Sequence, residues 1–264
     1  MTTVNVTLDA DGVASVEMAR PEVFNAFGEQ MIQELGEAFA KLSSDTQVRA
    51  ILLKGQGKAF SAGADLQWMQ RASVASREEN VEDARRFAGM LATVAHCPKP
   101  TVACVHGLAL GGGVGLVAAC DFAVASEDAR FAVSEVKFGI LPSVIGPYLV
   151  NAVGKRAALQ LALTATRFDA HEAHALGLVH QVCSRDVLDT TVCEIIDSLL
   201  QNGPTALAEV KALYAQLHVG PVDGAVRELT AQTIARVRMT DEAREGFDAF
   251  LNKRPAAWIR KAAP

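Results

Sequence analysis

The chain has 264 residues, half of them hydrophobic, which suits a large folded core and excludes a disordered polymer. Its formal net charge of −5 opposes sequence-independent nucleic-acid binding, which needs an excess of Lys and Arg facing phosphates. No apolar run is long enough to span a bilayer, and Met1 to Leu8 carries neither the basic nor the apolar region of a secretory signal. Five cysteines, Cys97, Cys104, Cys120, Cys183 and Cys193, are widely spread with no C-x-x-C pair, which reads as reduced thiols in a cytoplasmic compartment.

Val4, Val6 and Leu8 alternate with polar residues, Asp11-Gly12 intervenes, and Ala14, Val16 and Met18 alternate again. That pattern predicts a hairpin at a sheet edge. Phe27, Met31, Ile32, Leu35, Phe39 and Leu42 recur at helical spacing, so a helix with one buried face follows. Ile51 to Leu53 is a short continuous apolar run of the kind found in strands buried on both faces, and it leads into the small residues Phe60 to Asp65. Ser76-Arg77-Glu78-Glu79 is a capping box that starts a helix running to about Ala95. In this region Trp68, Met69 and Met90 are open to two readings, ordinary core or the wall of an apolar pocket.

Thr101 to Val105 predicts the central strand, and His106 to Asp121 carries the glycine triplet Gly111-Gly112-Gly113, then Gly115 and an apolar run. One reading is a hinge between a buried strand and a buried helix. The other is a turn whose first helical amides, unpartnered within the helix, face an anion or a developing oxyanion. Strands are expected at Phe122 to Val124 and Phe131 to Val133, followed by Glu135, a carboxylate among Phe131, Val133, Val136 and Phe138. Such a group is costly unless it is paired, lies at a partly exposed helix start, or serves chemistry. From Gly146 to Cys183 two short helices and a strand are expected, with a second capping box at Asp169 to Glu172. His171 and His174 share a helix face without H-E-x-x-H spacing or a third ligand, so they read as surface histidines rather than a metal site. Beyond Ser184 everything reads as helix, punctuated at Asn202-Gly203-Pro204, Gly220-Pro221 and Thr240-Asp241-Glu242.

Strands alternating with helices predict an α/β fold. The segments Ala59-Phe60-Ser61-Ala62-Gly63-Ala64-Asp65-Leu66 and Gly107 to Gly113, with Cys120-Asp121, Arg20-Pro21, Asn25-Ala26 and Phe250 to Arg254, resemble the enoyl-CoA hydratase/isomerase (crotonase) family. The resemblance runs nearly end to end. It implies a ββα spiral core over residues 1–200 and a C-terminal helical oligomerisation region over residues 201–264, building homotrimers or homohexamers. It further implies an acyl-CoA thioester as substrate, with no permanently bound cofactor, no nucleic-acid partner and no membrane. The backbone amides of Ala64 and Gly112 would form an oxyanion hole. Val23, Ala26, Ala62, Asp65 and Leu66 match positions that contact CoA, and Lys253 matches a basic position that reaches the nucleotide of a neighbouring subunit.

One position departs from the family pattern. Hydratases of this family usually place two glutamates around the water; here Glu135 fills one position and Gly115 the other. Trp68-Met69, Glu79 to Leu91 and Ser134 to Tyr148 look most like methylglutaconyl-CoA and isohexenylglutaconyl-CoA hydratases, where glycine also fills that slot. Hydration of an enoyl-CoA is therefore the expected reaction. Isomerisation between Δ3- and Δ2-enoyl-CoA and a non-catalytic acyl-CoA or RNA-binding scaffold are the alternatives.

Overall fold

A computed structural model describes residues 2–259. The N-terminal hairpin forms as its alternation requires: β1 (Val4–Leu8) pairs antiparallel with β2 (Val13–Met18), Val4 opposite Met18. Its turn is held by Asp9, whose Oδ1 accepts from the Asp11 and Val13 amides. After α1 (Glu29–Ser44) come β3 (Ala50–Gly55), α2 (Leu66–Val74), α3 (Arg77–Ala95) and β4 (Thr101–Val105). The chain continues through β5 (Leu108–Leu110), α4 (Gly112–Ala119), β6 (Phe122–Ser126), β7 (Arg130–Ala132) and α5 (Gly146–Thr164). It then forms β8 (Phe168–Asp169), α6 (Ala170–Ala175), β9 (Gln181–Cys183), α7 (Leu188–Leu200), α8 (Pro204–Tyr214), α9 (Gly224–Arg238) and α10 (Asp241–Leu251).

The larger sheet runs β1-β2-β3-β4-β6-β9 and is parallel from β2 onward. A smaller sheet runs β5-β7-β8. The central strand β4 is buried at every residue, because it is covered on both faces. Its side chains alternate between two cores: Ala103 and Val105 join the main core, whereas Val102 and Cys104 join a second core closed by Leu188, Val192 and Ile196 of α7. Helix α4 is apolar all round and almost wholly buried, the position such a helix must take.

The expected caps are present with one change. Ser76 and Glu79 make the reciprocal capping box at the start of α3. Asp169 caps α6 by accepting from the Glu172 amide, so this site is a plain side-chain cap rather than the capping box its sequence suggests. The two helices expected between Gly146 and Cys183 are α5 and α6, and α5 is itself kinked at Gly154, whose φ of 77° departs from helical values. Thr240 caps α10, while Glu242 turns away and accepts from the Thr205 and Ala206 amides at the start of α8. Lys211 on α8 donates to Asp121 and to the Lys99 carbonyl, tying that helix to the end of α4.

Candidate active site

Two glycine turns meet at the C-terminal ends of β3 and β4. The Phe60 amide donates to the His106 carbonyl, the Ser61 amide to Leu108, and the Leu110 amide back to Ser61, at 2.8 to 2.9 Å. These bonds clasp the two turns edge to edge. Gly63 has φ +87°, and a Cβ there would lie 2.8 Å from the Leu110 carbonyl oxygen, so only glycine permits the approach.

The first turn is braced from the N-terminal segment. Phe27 donates to the Gly63 carbonyl and accepts from the Asp65 amide, a bridge in which the Ala64 amide takes no part. Arg20 donates to the Ala26 carbonyl and pairs with Asp65 at 2.8 Å, and the fully buried Asn25 donates to the Gln56 and Ala59 carbonyls. Asp65 also caps α2 by accepting from the Gln67 amide. Burial alone would raise its pKa, but Arg20 and the Gln67 amide hold it below the usual aspartate range. On the second turn Gly112 is the first residue of α4, so its amide has no acceptor within the helix. A Cβ on Gly112 would meet Phe87 at 2.8 Å and Phe27 at 3.0 Å. Those rings press directly on the turn.

Ala64 and Gly112 line a cavity of about 330 Å³. Its walls are apolar, drawn from Phe27, Leu66, Trp68, Met69, Phe87, Phe138, Ile140 and Ile145. Trp68 and Met69 thus belong to the wall, while Met90 is core. Glu135, the first residue of a 3-10 turn over Glu135–Phe138, is the one titratable side chain among the described residues of this lining. Its Oε1 would stand 3.2 Å from a Cβ on Gly111, and its Oε2 is buried without a hydrogen-bond partner among the described residues. Burial pushes its pKa upward against the opposing pull of its own and the Ser134 amide. A carboxyl so placed is poised to exchange a proton with whatever enters the cavity.

Gly115 lies one helical turn beyond Gly111, its amide donating to the Gly111 carbonyl. A Cβ on Gly115 would fall 2.4 Å from Ile145 Cγ2. The space a side chain at 115 would take is therefore filled by Ile145, the N-cap residue of α5. Sequence reasoning missed Ile145, Arg20 and Asn25 as parts of the site; the polar pair stood in the motif, but nothing local marks Ile145.

Of the other sequence-predicted positions, Ala62 and Leu66 line the cavity, Leu66 with 75% of its surface exposed. Asp65 faces an adjoining polar depression with Arg20 and Arg71. Val23 is half-buried on the 3-10 turn before Asn25, and Ala26 is buried. Lys253 is exposed just past α10 and is not among the cavity-lining residues. His171 and His174 are exposed, His174 Nδ1 lying 3.1 Å from the Val179 carbonyl oxygen. Cys97 and Cys104 are buried and Cys193 is exposed, all five cysteines being free thiols.

Residues 9–261 match the enoyl-CoA hydratase/isomerase family. The chain belongs to that family. It is 33% identical over 258 residues to the short-chain-enoyl-CoA hydratase of Clostridium acetobutylicum, covering 95% of each chain. With the crotonyl-CoA hydratase of Syntrophomonas wolfei it shares 32% identity over 264 residues, 97% of this chain and 98% of that one. Among solved structures, an enoyl-CoA hydratase from Shewanella pealeana superposes with a TM-score of 0.94 at 41% identity, over 97% of this chain and 96% of the other. Pseudomonas aeruginosa AtuE does so with a TM-score of 0.93 at 36% identity, over 98% and 100%. The crotonase fold expected from the sequence is the fold observed. No described helix is long and apolar enough to cross a membrane.

Proposed function

We propose that the chain is an enoyl-CoA hydratase that adds water across the double bond of an enoyl-CoA thioester, and removes it in reverse, with Glu135 as the single acid/base. The observation that carries this reading is the Glu135 carboxyl, half-buried in the wall of an apolar cavity beside the glycine turn, with its Oε2 buried and without a hydrogen-bond partner among the described residues. The thioester carbonyl accepts from the Ala64 and Gly112 amides. Glu135 takes a proton from water as its oxygen bonds to the β carbon, and the π electrons move onto the thioester oxygen as an enolate. The two amides stabilise that charge, a single such donor contributing about 3 kcal/mol in acyl chemistry. Protonated Glu135 then returns the proton to the α carbon, completing the addition of H and OH.

The acyl group in this reading is a branched glutaconyl chain, supported by Gly115 and by the likeness of Ser134 to Tyr148 to hydratases of such substrates. Ala62 and Leu66 at the cavity mouth, with Val23, Ala26 and Asp65 behind them, hold CoA largely through backbone, and Lys253 serves the nucleotide from a neighbouring copy. The CoA thioester is substrate, and no permanently bound cofactor enters the scheme. The setting is cytoplasmic, and the working unit is a homotrimer or homohexamer built by residues 201–264 on the core of residues 1–200.

Glu135→Gln keeps size and an accepting oxygen but cannot take a proton. Turnover of a branched glutaconyl-CoA, followed by loss of the enone thioester absorbance, should fall at least about a hundredfold while acyl-CoA affinity changes little. Near-normal turnover in the variant would refute the role. The lone carboxylate also suits a proton shift between the α and γ carbons, which needs no water; conversion of a Δ3- to a Δ2-enoyl-CoA without hydration would establish that reading instead. Tight acyl-CoA binding with no turnover of either substrate would mark a scaffold.

A further inference from the structure

Helix α2 carries Leu66, Trp68 and Met69 into the cavity wall, yet it holds no fully buried residue, so its seat depends on few contacts. One face of α3 supplies several of them. Asn80, Asp83 and Phe87 follow the i, i+3, i+7 spacing that puts them on that face. Asn80 donates to the Ala72 and Ala75 carbonyls at the end of α2, at 3.0 and 3.3 Å. The half-buried Asp83 accepts from Trp68 Nε1–H through Oδ2 at 3.2 Å, while Arg86 donates to its Oδ1. Phe87 meets the indole edge-on, ring centroids 6.3 Å apart and planes at 84°. The indole borders both the apolar cavity and the polar depression that holds Arg20 and Arg71. Its orientation therefore decides whether that stretch of wall is hydrocarbon.

We propose that Asp83 is a positioning residue for the acyl site: by holding the indole N–H of Trp68 it fixes the ring as the partition between the apolar cavity and the polar depression. The inference rests on the reading of this cavity as the seat of the acyl chain. An indole N–H can only donate, so a half-buried tryptophan in this wall needs an acceptor. Asp83 supplies a charged one, the stronger kind, and Arg86 occupies its other oxygen. Asp83 itself is not among the residues that line the cavity, so the wall gains a fixed ring without gaining a charge. Without that acceptor the N–H turns toward water in the depression, and the ring leaves the chain it would cover.

The test uses binding, so that it does not depend on turnover. Affinities for hexanoyl-CoA, a saturated thioester, and for free CoA are measured by calorimetry on the full chain and on Asp83→Ala, Asp83→Asn, Trp68→Phe and the Trp68→Phe/Asp83→Ala double variant. Asp83→Ala should bind hexanoyl-CoA about tenfold more weakly with free CoA unchanged within about twofold. Asp83→Asn, whose amide oxygen still accepts from the indole, should stay near the parent protein. In the Trp68→Phe background, which has no N–H to hold, Asp83→Ala should add nothing. Circular dichroism and Tm establish folding, and Asp83→Leu, of similar shape but without an acceptor, carries the test if the alanine variant does not fold. An unchanged hexanoyl-CoA affinity, an equal loss for both ligands, an asparagine variant as weak as alanine, or a full loss in the Trp68→Phe background would each overturn the proposal. Failure of the acyl-site reading would appear separately, as a parent protein that binds hexanoyl-CoA no more tightly than free CoA, and it would overturn both.

Discussion

In the proposed reaction, burial and chemistry act on the same proton at Glu135. The folded protein raises this carboxyl above the ordinary glutamate range, chiefly because burial strips water from the charged form and the amides of Ser134 and Glu135 itself replace it only in part. Hydration needs the deprotonated form, so the acid limb of kcat/KM should lie above the usual carboxylate range and vanish in the residual activity of Glu135→Gln. For a carboxyl with raised folded pKa, stability is fully present while it is protonated in both states and declines as pH rises through the unfolded and then the folded value. Glu135→Gln should therefore have a Tm at pH 8 equal to or above that of the parent protein, and a clear drop would show that the carboxylate is a structural partner. Asp65 works in the opposite sense. Its lowered pKa adds stability above the unfolded value, lost as pH falls through the folded one, because Arg20 and the Gln67 amide favour its charge. The same fold holds one carboxyl by pairing and leaves an oxygen of the other without a partner among the described residues.

Turns and helices show where sequence stops being informative. The β1–β2 hairpin, the Ser76 capping box and the apolar strand β4 were legible, since each is set by residues close together in the chain. Glu135 was also visible, as an acid in an apolar neighbourhood. The Ile145–Gly115 contact was not, because it joins two helices across a loop and leaves no periodic mark. That contact makes a test at this scale. Gly115→Ala places a Cβ against Ile145 and should cost about 1–3 kcal/mol of stability by overpacking. With Ile145→Ala the clash disappears, so denaturant unfolding of the two single variants and the double should give a favourable coupling of about 1 kcal/mol or more. Additive costs would mean that α5 shifts to absorb the methyl.

At the scale of the molecule, the question is what the last three helices cover. The core satisfies itself: β4 is sealed by α4 on one side and α7 on the other. By contrast α8, α9 and α10 are tied to one another by polar contacts such as the Glu209–Arg236 pair and the Glu242 cap, and none of them holds more than one fully buried residue. Tyr214, Met239, Phe250 and Leu251 stand exposed, Phe250 at 81%. Hydrocarbon left in water on this scale favours association, each large side chain contributing about 1.5–3 kcal/mol when fully covered. A second and third copy of the chain is the occupant that the family resemblance implies, and Lys253, next to Phe250 and Leu251, would then stand at the contact between copies. Light scattering at micromolar concentration should accordingly report a trimer or hexamer. Phe250→Glu combined with Leu251→Glu places two charges on that surface without touching the cavity residues, and it should lower the measured mass toward that of the single chain while the circular dichroism spectrum stays native. An unchanged mass in the folded variant would move the interface elsewhere, and a monomeric parent protein would leave residues 201–264 without the assembly role proposed for them.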